Sequence, residues 1–392
     1  MNGNNNSSGL YVGAYFYLDF PAVQEVRQKK LLVLSIGYGQ GHHAAAAAVQ
    51  EHYAGRGWRT RVADVCELAQ PGIFRLTQYF YDFCVRRAPW LWGVTYSLTD
   101  TADWSILVRN PLLGSVLACL RDMLHEEMPD LVVCTYPLFA YMLDELQQRG
   151  ECTPPYTVLV TDSLEISRPW MRSRCPLVLL PDAYSCSMVR ERYGLGEEAA
   201  VAVGFPVREA FAPSPDRVPP GPGGLRIVYG AYRQTGGVLA DICALLDTFP
   251  QLRLTVIAGR RCRMLRRYFE AYCEAGRLEV FASTTRMPEL LAESHFYVGK
   301  AGAATMFECY AAQVPVLVNY TLPGQERGNL DLLLRDGAGC HVESTAHLIA
   351  TVQGMLRNGA QGWMLLCAAM LQAGRSGCAA CVAQAVTKKY GI

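Results

Sequence analysis

The sequence predicts an α/β protein of two doubly wound, parallel-sheet domains facing each other across a cleft. Three observations point to it. From Lys30 onward, short β-branched or Leu-rich runs alternate with stretches of helix length, the pattern of a parallel sheet with helices on both faces. At 212–224 the stretch "APSPDRVPPGPGG" holds five prolines and three glycines, which can continue neither a helix nor a central strand and mark a domain linker. Beyond it the same alternation starts again. Ligands of open α/β sheets bind outside the carboxyl ends of the strands, so functional residues are expected in the loops that follow strands.

In chain order, 1–29 form a partly disordered extension. Its start, "MNGNNNSSG", is polar; the aromatic "LYVGAYFYLDFPAV" lacks a basic flank and contains Asp19, a poor secretion signal. The first domain spans 30–211, with strands in "KLLVLSI", "WRTRVADV", "LVVCTY", "YTVLVTD" and "LVLL". After the linker, the second domain spans 225–360, with strands in "LRIVYG", "LRLTVIAG", "LEVFA", "FYVGK", "PVLVN" and "GCHVE". Segment 361–392 reads as helices packing back toward the first domain.

Composition narrows the class. The chain is 51% hydrophobic and 18% charged, which suits a well-cored globular protein, and its formal net charge of +1 gives no global attraction to nucleic acid. Fifteen cysteines stand mostly alone in apolar runs, as buried hydrophobes of a reducing compartment do. The close pair Cys378 and Cys381 has no second pair at metal spacing and reads as structural filler. The longest apolar stretches are strand-sized or broken by Arg, Asp or Pro, so membrane contact is expected to be peripheral and the protein cytoplasmic.

Four stretches carry chemistry. In "GYGQGHHAAAAAV" the glycines, Gly39 and Gly41 among them, permit close backbone approach, and a helix begins near His42. The loop fails the dinucleotide pattern, because His42 stands in place of the third glycine, and it fails the Walker pattern, which needs G-K-[ST]. A histidine at a helix N-terminus is biased toward its neutral form, the form a general base needs; it can also simply cap the helix. In "YVGKAGAATMFE" a strand ends at Lys300 and a helix starts near Ala303. Ala303, Ala304 and Thr305 offer amides and a hydroxyl to a diphosphate, and Glu308 offers a carboxylate to a ribose, unless it is merely solvated. In "LPGQERGNLDLLLRDGAG", Gln325, Glu326 and Asn329 gather at a loop–helix junction, as sugar ligands or as an ordinary polar helix start. In "YTVLVTDSLEISRPW" a buried strand ends at Asp162, a catalytic or orienting carboxylate or an N-cap.

In this order, these stretches together with "VGFPVREAF" resemble the diacylglycerol glycosyltransferases: the monogalactosyldiacylglycerol synthases and the processive diacylglycerol glucosyltransferases, relatives of the glucosaminyltransferase that makes the peptidoglycan lipid precursor. The resemblance spans about Lys30 to Arg357. It implies a GT-B fold of two Rossmann-like domains and inverting transfer of a hexose from a UDP-sugar, with no metal and no other cofactor. It also implies that His42 is the general base, that Glu308 binds ribose, and that Gln325 and Glu326 touch the donor sugar. Gly230 matches the first donor loop, and Arg286 and Met287 match the loop near the uracil. Two departures stand out. "KAGAAT" places alanines where backbone would approach phosphate, and "GAYRQTGG" carries Arg233, a candidate diphosphate ligand, in a loop whose relatives hold small residues.

The acceptor would be a lipid. The stretch "PGIFRLTQYFYDFCVRRAPWLWGVTY" mixes aromatics with arginines, as at the surface of an anionic membrane, and offers Phe80, Arg86, Arg87, Trp90 and Trp92. An ordinary helix packed on the domain would read similarly. The arginines of "GRRCRMLRRYF" read as a solvated face. The expected function is hexose transfer from a UDP-sugar to a lipid such as diacylglycerol, at the inner face of the cell membrane. Alternatives are another acceptor, polyprenyl-linked or small, a UDP-sugar epimerase, and a degenerate nucleotide-sugar-binding homologue.

Overall fold

The computed structural model describes residues 27–37, 40–164, 166–221, 224–322, 326–375 and 379–392. The first sheet contains β1 (Lys30–Leu34), β2 (Arg59–Ala63), β3 (Leu131–Cys134), β4 (Tyr156–Leu159), β5 (Val178–Leu180) and β6 (Ala200–Ala202), in the order β2-β1-β3-β4-β5-β6. The second contains β7 (Leu225–Gly230), β8 (Leu252–Ile257), β9 (Leu278–Phe281), β10 (Phe296–Lys300), β11 (Val316–Tyr320) and β12 (Gly339–His341), in the order β12-β11-β10-β7-β8-β9. Every neighbouring pair is parallel. The α/β class with two doubly wound sheets is therefore borne out. One strand, β6, escapes the sequence reading, because a three-residue, alanine-rich edge strand "AVA" is neither long nor β-branched enough to stand out.

The helices are α1 (Gln40–Gly55), α2 (Val65–Ala69), α3 (Pro71–Arg87), α4 (Pro89–Thr101), α5 (Trp104–Val108), α6 (Gly114–Glu127), α7 (Pro137–Gln148), α8 (Ala183–Tyr193), α9 (Thr235–Thr248), α10 (Cys262–Tyr268), α11 (Glu270–Glu274), α12 (Met287–Glu293), α13 (Ala303–Ala312), α14 (Arg327–Arg335), α15 (Thr345–Ala373) and α16 (Ala379–Tyr390). Five of them, α2 to α6, lie between β2 and β3, where a simple crossover needs one. Prolines at the first positions of α3 and α4 fix those starts, since a missing N–H costs nothing there. Asp64 caps α2 by accepting from Glu67 N. Non-helical backbone at Arg357–Ala360 breaks α15, with Asn358, Gly359 and Ala360 at φ of 51°, 69° and 62°.

Side-chain alternation divides the interior. Leu31 and Val33 of β1 point into one core, Leu32 and Leu34 into another. The first of these cores is continuous through both domains. It joins Ala45 and Val49 of α1, Met306 and Phe307 of α13, and Val382 and Val386 of α16 to both sheets. Phe205, just after β6, stacks on Phe307 with ring centroids 4.8 Å apart and planes 2° apart. At about 1.5–3 kcal/mol per fully buried leucine-sized side chain, this shared core holds the two domains in register. It also packs α1 against α13, so the helices that carry His42 and Glu308 lie side by side.

Candidate active site

In the first turn of α1, His42 is only 5% exposed. Its Nδ1 lies 2.8 Å from the carbonyl oxygen of Thr135, just after β3, and 2.9 Å from the hydroxyl of Thr161, just after β4. A carbonyl can only accept, so Nδ1 carries the proton and Nε2 presents a lone pair. Burial lowers the His42 pKa to about 4, and the neighbouring His43 adds to that effect. The imidazole is therefore neutral at physiological pH. His43 turns away, with Nδ1 3.0 Å from Ser35 Oγ.

The His42 ring lines a cavity of about 360 Å³, walled mainly by Phe80, Tyr81, Trp104, Tyr136, Pro169 and Trp170, with Asp162 and Asp100 as its carboxylates. Asp162 is buried; its Oδ2 accepts from Trp170 Nε1 at 2.7 Å, and the Trp170 ring lies 6.2 Å from that of His42. Asp162 caps none of the described helices. Asp100 accepts from Arg168 N at 2.7 Å, which ties α4 to the loop after Asp162. Helix α3 crosses the glycine loop at close range. A Cβ on Gly37 would stand 2.7 Å from Gln78 Nε2 and 3.1 Å from Phe74, so a side chain there would displace Gln78 and crowd Phe74.

Across the cleft, the donor-side residues separate into groups. Lys300 Nζ donates to Glu326 Oε1 at 2.6 Å, and Glu326 Oε2 accepts from Leu322 N at 3.0 Å. Asn329 Nδ2 donates to Ala301 O at 2.9 Å, so α14 grips the turn that precedes α13. Gly230 is overlaid by Tyr232 and by Tyr297 Oη; a Cβ there would meet them at 2.5 and 2.7 Å. Of the two alanines expected to face a phosphate, Ala304 is buried and Ala303 packs against the shared core. Thr305 and Glu308 follow on α13 and are partly buried. Burial raises the Glu308 pKa to about 7, against the opposing pull of Arg208.

Other expected residues lie elsewhere. Arg233 is committed within its own domain: its Nη1 reaches both oxygens of Asp241 at 2.9 and 3.0 Å. Asp241, wholly buried, also accepts from Tyr229 Oη, Asn319 Nδ2 and Thr345 Oγ1. Arg286 stands exposed at the start of α12, and Met287 packs against the shared core. Arg261 donates to the carbonyls of Ala231 and Arg233, and Arg266 to that of Val280, so the arginine run pins loops as well as facing solvent. Gly41 lies in α1 with open space beside it. Gly39, Gln325 and Cys378, with the side chains of Arg86, Arg87 and Trp92, lie outside the described residues. Cys381 packs against the shared core. The sequence reading missed Thr135, whose contribution is a backbone carbonyl and leaves no sequence signal. It also did not anticipate the ion pair of Lys300 with Glu326, although a cation closing an apolar strand was visible.

Comparisons with known proteins bear on the class of the chain. Residues 42–207 match the monogalactosyldiacylglycerol (MGDG) synthase family. A processive diacylglycerol beta-glucosyltransferase of Bacillus cytotoxicus is 26% identical over 349 residues, 85% of this chain and 87% of that protein. Among solved structures, Acinetobacter baumannii MurG aligns with a TM-score of 0.57 at 14% identity, over 92% of this chain and 99% of its own. A UDP-GlcNAc 2-epimerase of Neisseria meningitidis, bound to UDP-GlcNAc, aligns with a TM-score of 0.57 at 12% identity, over 92% and 100%; both structures speak for the fold alone. The chain is thus a glycosyltransferase of GT-B fold. Within that class it is a homologue of the diacylglycerol glycosyltransferases, and the first domain carries the match to the MGDG synthase family.

Proposed function

We propose that this protein transfers a hexose from a UDP-sugar to a lipid acceptor such as diacylglycerol, with inversion and without a metal ion. The observation that carries the proposal is the pairing of a neutral, tautomer-locked His42 with an apolar cavity. A cavity of about 360 Å³ suits a glycerol headgroup and the first segment of its acyl chains. In the reaction, the acceptor oxygen attacks the anomeric carbon and its proton passes to His42 Nε2. The bond from that carbon to the β-phosphate oxygen breaks, and its electron pair leaves with UDP. Asp162, which lines the same cavity, stabilises the imidazolium as it forms. On the donor side, Glu308 would receive the ribose hydroxyls, Glu326 and Asn329 with Gln325 the sugar, and the first turn of α13 the diphosphate.

The surface around the cavity supports a lipid acceptor. Ile73, Leu76 and Phe83 of α3, Trp90 and Leu98 of α4 and Ile106 of α5 all present large apolar side chains to solvent, which for a soluble surface marks a docking site. Among the described residues no helix is long and apolar enough to cross a membrane. Peripheral attachment through α3 to α5, at the cytoplasmic face of an anionic membrane, brings the cavity mouth to the lipid.

The test uses the purified protein, diacylglycerol vesicles and radiolabelled UDP-glucose or UDP-galactose. Thin-layer chromatography should find label in a glycolipid, with turnover unchanged by a chelator. Label in a soluble glycoside moves the acceptor assignment, an isomerised UDP-sugar moves the reaction to epimerisation, and no consumption of either donor removes the enzyme reading.

A further inference from the structure

The ion pair between Lys300 and Glu326 sits in an unusual place. The pair is mostly withdrawn from water, with 24% and 5% of the two side chains exposed. A buried pair is poor evidence for stability, because apolar residues of the same shape would serve as well. This one lies across Gly302, the residue that caps α13. A Cβ on Gly302 would meet Lys300 Cε at 3.1 Å, Nζ at 3.3 Å and Glu326 Oε1 at 3.5 Å. A carboxylate oxygen thus occupies the ground in front of the first turn of a ten-residue helix, where an anion is favoured.

Three further observations point to a ligand rather than to a fixed brace. Asn329, only 3% exposed, has its Oδ1 buried with no hydrogen-bond partner while its Nδ2 holds Ala301 O in the same turn, so an acceptor stands orphaned beside the pair. Lys300 Nζ lies 5.3 Å from the centre of the Tyr232 ring, in the loop after β7, and interacts electrostatically with Tyr81 of the opposite domain, which lines the His42 cavity. The ammonium therefore stands where the two halves of the site meet. Finally, Arg233 of the same loop and Arg261, just after β8, are committed to Asp241 and to backbone carbonyls.

We propose that Lys300 is the cation that receives the diphosphate of the donor, and that Glu326 holds its place as a resident anion while the donor is absent. On binding, the diphosphate displaces the carboxylate from Nζ and from the helix start. Glu326 is then released to accept a hydroxyl of the hexose, and Lys300 neutralises the charge that gathers on UDP as the bond to the anomeric carbon breaks. The unbranched lysine stem and the missing side chain at Gly302 leave the ammonium free to move between the two partners. Burial opposes the charge on Lys300, but Glu326, Tyr232 and Tyr81 outweigh it and hold the ammonium above the ordinary lysine range, so it is charged throughout.

This inference rests on the UDP-sugar assignment above, and the test separates the two. Calorimetric titrations with uridine and with UDP are run on the wild type, Lys300→Met, Glu326→Gln and the double variant. The wild type should bind UDP far more tightly than uridine; if it binds neither, the donor assignment falls and this proposal with it. Loss of one charge-assisted contact should weaken UDP roughly 10- to 100-fold in Lys300→Met while uridine stays within about twofold. The double variant guards against a fold damaged by an unpaired Glu326 and should show the same selective loss. Glu326→Gln removes the competing anion and should bind UDP several-fold more tightly. UDP affinity within about twofold of wild type in the double variant, or a parallel fall for uridine, overturns the role of Lys300; weaker UDP binding by Glu326→Gln overturns the role of Glu326.

Discussion

Donor binding should depend on pH through Glu308, and both the direction and the size follow from its surroundings. Burial raises its pKa to about 7 from an ordinary value of 4.5. Ribose hydroxyls donate to an ionised carboxylate, so the bound state favours the charged form, and a proton held by the free site must leave on binding. Affinity is therefore full above pH 7 and is lost as pH falls through 7. At pH 5.5 the free carboxyl is protonated by roughly 30 to 1, so the dissociation constant should rise about 30-fold between pH 8 and pH 5.5. The ligand must be an intact UDP-hexose, because the terminal phosphate of free UDP titrates near pH 6 and would mask the effect. Calorimetry in buffers of different ionisation enthalpy reads the affinity and counts the proton released. Glu308→Gln should flatten the profile and bind about tenfold more weakly at pH 8. An affinity that is flat from pH 5.5 to 8 in the wild type, or that strengthens in acid, refutes the assignment of Glu308 to the ribose.

Three further outcomes are expected. At saturating donor the pH profile of kcat should lack a limb near 7 and fall only toward pH 4 to 5, because His42, with a pKa of about 4, is a neutral base above that range, whereas kcat/KM for the donor keeps the Glu308 limb. Asp241→Ala should destabilise the second domain by about 3 kcal/mol in denaturant titration, since it strands Arg233, Tyr229, Asn319 and Thr345 around an empty buried position. Replacing Trp90 and Leu98, 70% and 65% exposed, with serine should cut vesicle binding more than tenfold while UDP affinity and melting temperature hold; unchanged sedimentation with vesicles removes α4 from the membrane surface.

What could be read in advance follows a physical line. Most of these parallel strands are apolar runs, and eleven of the twelve strands among the described residues were visible; β6, three residues long with two alanines, was not. Helix N-termini after strands placed His42 and Ala303 at the cleft, because small residues and a break in the apolar run mark those turns. Contacts made by backbone or across long separations were hidden. The Thr135 carbonyl that fixes the tautomer of His42 is 93 residues away, and any residue would present one. Arg233 stood in a donor loop and invited a phosphate, but Asp241, two turns into α9, takes it, and that carboxylate gave no sign of being buried. The excursion α2 to α6 showed its aromatic character, but not that α3 would close over the glycine loop, which needed the empty space at Gly37.

A buried histidine with a pKa near 4 holds a proton weakly, so His42 cannot act alone. The acceptor hydroxyl loses its proton only as its bond to the sugar forms, and the imidazolium created then sits in an apolar cavity that disfavours it. A carboxylate in the same cavity changes the balance, and Asp162 lines it, held by Trp170 Nε1 on one oxygen. If the two residues work as one device, their losses are not additive. His42→Ala and Asp162→Asn should each lower kcat by roughly 10²- to 10⁴-fold with UDP affinity nearly intact, and the double variant should lose little more than the worse single. Losses that multiply would mean that Asp162 serves the acceptor independently, as a ligand of its hydroxyls, and that the imidazolium is stabilised by something else in the cavity.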